Sequence, residues 1–227
     1  MTSSVKLSTK EKSILLRMPL IAATDEASTA ALMEASTLLT LAPRQMLFRE
    51  GDPAEHLFCV LTGYVRLFRV SKDGREADVR ICGPGETFNA NLIFGADRNR
   101  YNAQIAESCT LARLDIAKVR SMIETDPNIA RGIIQCLADS LTATMEGLVN
   151  DRLQTAPQRV AHYLMTQAPH DKASYSLRLP FQKSVLAGKL GLAPEALSRA
   201  FSSLRECGVI VRGRVIHVND PVALKQI

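Results

Sequence analysis

The sequence predicts an α+β fold with an N-terminal antiparallel β-domain, one long helix and a C-terminal winged helix-turn-helix. Three observations lead to this prediction. Glycines recur about every ten residues among short apolar runs between residues 40 and 117. A seven-residue apolar repeat follows in residues 127–153, and residues 182–206 have the pattern of two short amphipathic helices separated by a turn.

The first predicted domain, residues 1–126, contains helical stretches up to about residue 35 and then strands. Short apolar runs bounded by turn residues at this spacing are typical of an antiparallel sandwich or barrel. The segment Lys72-Asp73-Gly74 follows such a run, and Asp-Gly accepts the positive φ angles that tight turns need. A hairpin is therefore predicted at this point.

The second predicted segment, residues 127–154, is a single helix. Asp126 and Pro127 are a typical helix start, because an acidic side chain can cap the helix and proline is tolerated in its first turn. The apolar repeat favours a parallel coiled-coil dimer, and the alternative is a helix packed on its own β-domain. The predicted dimer seam consists of Ile134, Leu137, Leu141, Met145 and Leu148.

The third predicted domain, residues 155–227, is the winged helix-turn-helix. Gly191 permits a tight turn between two helices, Pro194 suits the first turn of the second helix, and Gly208 is placed to end it. Two short β runs on either side of a basic tip are expected to form a two-stranded wing.

The second helix of this domain places Glu195, Ser198 and Arg199 on one face, because they are three and four residues apart. A helix-turn-helix inserts that helix into the major groove of double-stranded DNA. Arginine can bind guanine O6 and N7, glutamate can accept from cytosine N4, and serine suits either partner. The three residues are predicted to read bases, and the alternative is an exposed helix with i, i+4 charge pairing. The predicted DNA backbone contacts come from Gln182, Lys183, Arg212 and Arg214.

The charge distribution agrees with a DNA partner. The net charge is +5, and residues 152–227 hold 11 Lys/Arg against 4 Asp/Glu, a balance of +7. Residues 1–151 hold 17 against 19, a balance of −2. Positive charge on the half with the predicted recognition helix is what phosphate binding requires, although a solvated basic face has the same composition.

Other classes of protein are not indicated. The chain shows no nucleophile elbow, P-loop, HExxH motif or dinucleotide glycine fingerprint, so no catalytic residues are predicted and an enzyme is not expected. No apolar run reaches the length of a membrane span, so a cytoplasmic protein without a membrane partner is expected. The cysteines and histidines are scattered, so no metal site is predicted.

The order of domains and four segments resemble the Crp/Fnr superfamily of bacterial transcription regulators. The segments are REGDPAEHLFCVLTGYVRLF, GPGETF, RNRY and LGLAPEALSR. The resemblance implies a β-roll like that of cyclic-nucleotide-binding domains, a homodimer, a small-molecule effector and RNA polymerase as a partner. Glu195-x-x-Ser198-Arg199 is similar to the motif of the fumarate–nitrate reductase regulator branch. That similarity implies a TTGAT-N4-ATCAA palindrome, with Arg199 on the guanine, Glu195 on the paired cytosine and Ser198 on a thymine.

The same resemblance suggests where an effector would bind. Alignment on GPGETF places Asn89-Ala90 at the Gly-Glu pair of cyclic-nucleotide-binding relatives and Arg100-Tyr101 at their Arg-Ser pair. Arg100 suits an anion, with a solvated loop arginine as the alternative. Ala90 has no carboxylate for a ribose hydroxyl and Tyr101 is bulkier than serine, so cyclic AMP in its usual mode is not expected. These four residues are the predicted effector pocket.

The sensing chemistry is expected by resemblance alone. The iron–sulfur branch uses an N-terminal cysteine cluster, and no cysteine precedes Cys59, so such a cluster is not expected. The chain resembles the cluster-free DNR/NNR branch, which implies a response to nitric oxide or a redox signal and haem as a cofactor, with no ligand pair singled out. A cyclic nucleotide or another small anion is the alternative signal, and a ligand-sensing scaffold without DNA binding is a further alternative.

Overall fold

A computed structural model describes residues 9–95, 97–169 and 173–227. The chain divides into two compact units, Met1–Thr144 and Met145–Ile227, which we call the N-terminal and C-terminal units. No helix in the described ranges is long and apolar enough to cross a membrane.

The N-terminal unit combines a six-stranded antiparallel sheet with helices at both of its chain ends. The strands follow the order β1-β6-β3-β4, with β2 also paired to β6 and β5 to β3. All these pairs are antiparallel, as the sequence predicts. The elements are α1 (Thr9–Arg17), α2 (Pro19–Ala22), α3 (Glu26–Ala35), β1 (Ser36–Leu41), β2 (Met46–Phe48), β3 (His56–Val70), β4 (Glu76–Cys82), β5 (Thr87–Phe88), a 3₁₀ turn (Ala90–Ile93), β6 (Asn102–Asp115), α4 (Ile116–Thr125) and α5 (Pro127–Leu153), whose residues from Met145 onward belong to the C-terminal unit.

The predicted hairpin joins β3 to β4, although its loop is longer than a two-residue turn. Val70 pairs with Glu76, and the loop closes through a hydrogen bond from the Ser71 amide to the Arg75 carbonyl. The Asp73 carboxylate accepts from the Ser71 hydroxyl and from Arg75 Nε, and Gly74 has a φ of +82°. The Asp-Gly pair therefore serves the turn as predicted, within a wider loop.

Strand β3 is buried on both faces, which explains its nearly continuous apolar sequence. Leu57, Cys59 and Leu61 pack in the cluster that includes residues of the helices. Phe58 and Val60, which point to the opposite face, pack inside the roll of the sheet. The N-terminal unit therefore has two apolar clusters separated by one layer of sheet.

Two glycines allow close backbone contacts in this unit. Gly63 interrupts β3 with a φ of +75°, and a Cβ there would lie 2.1 Å from the Ser108 carbonyl oxygen. A Cβ at Gly132 on α5 would lie 2.3 Å from the Leu20 carbonyl oxygen. Larger residues at either position would separate elements that are in backbone contact, so Gly132 permits the close approach of α5 to α2.

The cysteines differ in accessibility, and this difference gives a prediction. Burial raises the pKa values of Cys59 and Cys109 to about 12. A hydrogen bond with Thr87 partly opposes this effect at Cys59. Cys82 and Cys136 are also buried, whereas Cys207 is half-buried in the C-terminal unit. At pH 8 a thiol with a pKa of 12 is about 0.01% ionised, and the thiolate is the reactive form.

We therefore expect iodoacetamide at pH 8 to modify Cys207 first in the folded protein. Peptide mass spectrometry over a time course measures this, and Cys207→Ser is expected to remove the fast phase. Fast labelling of Cys59 or Cys109 in folded protein would contradict the burial described above.

The C-terminal unit is a winged helix-turn-helix, as predicted. Its three-stranded sheet has the order β7-β9-β8, so the wing has one strand more than the two predicted. The extra strand was not predicted because a run of four residues carries little periodicity and its partner β9 lies far along the chain. The elements are α6 (Ala156–Thr166), β7 (Tyr175–Arg178), α7 (Lys183–Lys189), α8 (Pro194–Ser203), a 3₁₀ turn (Leu204–Cys207), β8 (Val209–Arg212), β9 (Val215–Val218) and α9 (Pro221–Leu224).

Candidate DNA interface and sensor site

Helix α8 is the predicted recognition helix. It begins at Pro194 after an extended Ala193, and it buries Leu197, Ala200 and Phe201 against the rest of the C-terminal unit. A 3₁₀ turn follows, and Gly208 ends the helical segment in the left-handed conformation with a φ of +77°. The short helix is thus positioned by one apolar face, which leaves its other face to solvent.

The exposed face of α8 carries the three predicted base-reading residues. Glu195, Ser198 and Arg199 are all exposed. Although Glu195 and Arg199 are four residues apart, they form no ion pair with each other, and neither has a recorded side-chain partner in the described part of the chain. The Ser198 hydroxyl donates to the Pro194 carbonyl at 3.0 Å. The carboxylate and the guanidinium are therefore free to bind bases, which favours base reading over the i, i+4 pair.

The turn that orients α8 is held by a residue that sequence reasoning missed. Arg159 of α6 donates from Nη1 to the Leu190 carbonyl at 3.0 Å, and the same atom donates to the Asp151 carboxylate. Gly191 then reverses the chain with a φ of +62°. An arginine on a helix is usually solvated, so nothing in the sequence around Arg159 indicated this role.

The predicted backbone-binding residues lie in two places. Gln182 is the N-cap residue of α7 and Lys183 is its first residue, and both are exposed. Arg212 is exposed at the end of β8, before the turn at Gly213. Arg214 is only half exposed, and its Nε donates to the Phe181 carbonyl at 2.9 Å. Arg214 therefore helps to hold the segment before α7, and Arg212 is the better placed of the two for phosphate.

Strand β7 adds one more basic residue to the wing. Arg178 pairs with Val215 of β9, and Val215 pairs in turn with Arg212 of β8. Directly opposed residues of antiparallel strands project to the same face, so Arg178 and Arg212 flank Val215 on one face. Arg178 was not among the predicted contacts because β7 itself was not predicted.

We expect Arg178→Ala to weaken DNA binding by a similar factor on specific and random duplexes. A phosphate contact adds affinity without sequence information, and losing one lowers the salt dependence of log K by about 0.9 per contact. Binding measured over a range of KCl concentrations tests this, with Arg205→Ala as a control for lost charge. A loss confined to the specific duplex would contradict a backbone role.

The structure separates the four residues of the predicted effector pocket. Asn89 is buried, has a φ of +66°, and donates from Nδ2 to Asn99 Oδ1 at 2.9 Å. The Tyr101 hydroxyl donates to Asn89 Oδ1 at 2.9 Å, and burial raises the pKa of Tyr101 to about 12. Ala90 is buried beside Asn89, whereas Arg100 is exposed. Asn89 and Tyr101 therefore form one buried hydrogen-bonded group, and Arg100 is not part of it.

Aromatic side chains fill the roll next to this group. Phe58 stacks on Phe88 with ring centroids 5.0 Å apart, and Phe48 lies 5.8 Å from Phe58 and 6.3 Å from Tyr101. The volume beside Asn89 is thus occupied by rings and by the Tyr101–Asn89–Asn99 chain of hydrogen bonds. A nucleotide would have to displace these side chains in order to bind there.

A cavity of about 270 Å³ opens beside the aromatic group. None of the four predicted pocket residues lines it. Its lining comes from strands β1, β2, β3 and β6 and from the loops before β3 and β6, and comprises Leu39, Leu47, Phe48, Asp52, Pro53, Glu55, His56, Phe58, Asn99 and Arg113. Sequence reasoning missed His56 and Arg113, because only the strand register brings them together.

These features define a class of protein: an antiparallel β-domain and a long helix, followed by a winged helix-turn-helix with an exposed polar face on its second helix. Two family models match the chain, a cyclic nucleotide-binding domain over residues 38–126 and a Crp-like helix-turn-helix domain over residues 158–227. The chain belongs to the Crp/Fnr family of DNA-binding transcription regulators, as the sequence predicts.

Individual relatives are similar along most of their length. The nitrogen fixation regulation protein FixK of Rhizobium meliloti is 28% identical over 190 residues, which are 83% of this chain and 85% of the relative. The transcriptional activator protein Anr of Pseudomonas aeruginosa is 24% identical over 187 residues, 79% of this chain and 75% of the relative. A crystal structure from Ruegeria pomeroyi DSS-3, described as a candidate cyclic nucleotide-binding protein, has a TM-score of 0.69, 28% identity and 96% coverage of both chains.

Proposed function

We propose that the protein is a homodimeric, effector-controlled transcription regulator that reads a palindrome of the type TTGAT-N4-ATCAA. The observation that carries the proposal is the exposed face of α8, where Glu195 and Arg199 have no recorded partner in the described chain. Two relatives are named as a nitrogen fixation regulator and a transcriptional activator, which supports regulation as the role. Such a protein acts with RNA polymerase in the cytoplasm, where the DNA is.

The proposed dimer is inferred from the two faces of α5, of which one is buried and the other is apolar and exposed. Ile129, Ile133 and Cys136 are buried in the N-terminal unit. The predicted seam residues Ile134 and Leu141 are 64% and 62% exposed, and Met145 and Leu148 are also exposed. An apolar stripe with seven-residue spacing on a helix is covered most simply by the same stripe of a second copy. Leu137 is half-buried and packs partly against the core of its own unit, so it contributes less to the seam than the other four.

The same helix offers a route from the β-roll to the seam. Arg80 of β4 donates from Nη1 to the Ser140 hydroxyl at 3.2 Å, and its guanidinium also lies 3.7 Å from the Glu86 carboxylate. Ser140 is the residue next to Leu141. A ligand that binds one arrangement of the roll better than another would thus shift the seam, and with it the spacing of two recognition helices.

The lining of the cavity in the β-roll does not fit haem, although the resemblance implies haem as a cofactor. The cavity of about 270 Å³ lies below the range of about 300–1,000 Å³ for most ligand pockets. His56 is the one imidazole in its lining, and no thiol or thioether lines it. The buried thiols of Cys59 and Cys109, with a pKa of about 12, are poor sources of a thiolate ligand. We therefore propose a small organic effector in place of a haem-borne nitric oxide signal.

Selection from randomised duplexes tests the proposed specificity. The purified protein is incubated with a random library, and bound duplexes are amplified and sequenced. We expect enrichment of paired TTGAT half-sites in inverted orientation. Recovery of unrelated or unpaired sequences would contradict the proposed reading, and absence of any enrichment would favour the scaffold alternative.

A further inference from the structure

The cavity in the β-roll has an uncommon combination of lining residues. One wall is apolar and aromatic and includes Leu39, Phe48 and Phe58. Arg113 of β6 lies directly opposite Phe58 in the sheet register, so the two side chains share a face. Arg113 is half-buried, and no partner for its guanidinium is recorded among the residues that the structure describes. A half-buried cation without a partner beside an open cavity indicates a place for an anion.

Three carboxylates lie around the cavity and His56, and two of them have other contacts. Asp115 caps α4 and accepts from the Lys118 amide at 2.9 Å. Asp52 at the rim accepts from the Arg49 amide at 2.7 Å and is exposed. Glu55 is also exposed, so solvent and salt screen its charge more strongly than that of the half-buried arginine.

The pKa of His56 shows that the charge of Arg113 acts on the cavity wall. Burial lowers the pKa of His56, and the charge of Arg113 lowers it further against weaker opposing effects of Asp115 and Glu55. Arg113 therefore affects the cavity wall at His56 more than either acid does. His56 is neutral at pH 7 and can donate or accept one hydrogen bond.

The size of the cavity limits the ligand. A cavity of roughly 150 Å³ accepts benzene, so about 270 Å³ holds one ring and a carboxylate but leaves little room for a nucleotide. Both polar ends of the Asn99 amide are already bonded, to Asn89 and to the carbonyls of Asp52 and Pro53. The guanidinium of Arg113 is thus the half-buried charged group that is left for a ligand, and His56 adds one hydrogen-bonding nitrogen. Asp52 and Glu55 are exposed, and the apolar contacts come from the leucine and phenylalanine side chains of the lining.

We propose that this cavity binds a small monocarboxylate with a compact apolar body, of the benzoate type. The carboxylate pairs with Arg113 and the ring lies against Phe48 and Phe58. The claim that this ligand is the effector rests on the proposed function. The claim that the cavity binds it depends on the cavity alone.

Isothermal titration calorimetry of the full-length protein tests the site without DNA. The probes are benzoate, benzamide, benzylammonium and 3′,5′-cyclic AMP. We expect benzoate to bind, and benzamide to bind at least about tenfold more weakly because it lacks the charge that pairs with Arg113. Preference for benzylammonium, equal binding of benzamide, or no saturation by benzoate at millimolar concentrations would overturn the proposal.

Variants locate the binding event. Arg113→Met is expected to weaken benzoate binding by about tenfold or more, and Arg17→Met, which removes an exposed arginine of the same unit, is expected to leave it unchanged. Leu47→Trp fills the cavity without removing a charge and is expected to abolish binding, which covers the case in which Arg113→Met does not fold. Unchanged binding in folded Leu47→Trp would overturn the site. Benzoate binding that leaves DNA affinity unchanged would support the site and contradict effector control.

Discussion

Replacing Arg199 by alanine is expected to weaken binding to the TTGAT palindrome by about thirtyfold or more. A bidentate arginine–guanine contact contributes about 1–3 kcal/mol of discrimination, and a homodimer loses one in each half-site. The Arg199 guanidinium is exposed and has no recorded partner in the described chain, so the substitution breaks no contact within the fold. Fluorescence anisotropy at fixed salt measures the loss.

The specificity of the Arg199→Ala variant is as informative as its affinity. We expect the variant to bind equally well to duplexes with and without the guanine of each half-site. Arg205→Ala removes the same charge from an exposed position beyond the end of α8 and serves as the control. If Arg205→Ala and Arg199→Ala have the same effect, Arg199 contributes only charge and does not read a base.

Replacing Leu141 by glutamate is expected to dissociate the dimer and to abolish tight DNA binding. Burying a leucine contributes about 1.5–3 kcal/mol, and the substitution removes two leucines while placing two carboxylates in one seam. The dimer dissociation constant should rise by about a hundredfold or more. Sedimentation velocity over a range of protein concentrations measures this change.

Thr142→Glu is the matched control for Leu141→Glu. Thr142 is the next residue on α5 and is also exposed, but it lies off the seven-residue repeat, so the same charge should leave the dimer intact. A Leu141→Glu variant that keeps the dimer mass would show that the exposed stripe is not the interface. The alternative, in which α5 packs on its own β-domain, disagrees with the exposure of Ile134 and Leu141.

Features encoded by local spacing were predictable from the sequence. The faces of α8 follow from intervals of three and four residues among Glu195, Ser198 and Arg199. The start of α6 follows from a capping box in which Thr155 and Gln158 bond each other's backbone amides. The position of the β3–β4 hairpin follows from its Asp-Gly turn. In each case the interaction lies within a few residues along the chain.

Features that depend on strand register were not predictable. Arg113 and His56 share a cavity wall only because β3 and β6 pair in the register that sets Phe58 opposite Arg113, and a slip of one residue would turn one strand's side chains to the other face. Arg178 joins the wing through β7, which pairs with a strand far along the chain. The aromatic residues that fill the roll likewise come from four separate segments. An alignment on short motifs therefore placed the effector beside Asn89, where the structure has packed side chains.

The most direct test of the central claim is wild-type binding to three duplexes by fluorescence anisotropy at fixed salt. The first carries TTGAT-N4-ATCAA, the second has one half-site scrambled, and the third has five base pairs added to the spacer. Five base pairs turn one half-site by about half a helical turn of 10–10.5 base pairs, so a dimer cannot place both recognition helices in the groove. The proposed dimer predicts tight binding to the first duplex. The other two duplexes should bind with similar affinities to each other, both at least about tenfold weaker than the first. Equal affinity for all three duplexes would contradict dimeric reading of a palindrome by α8.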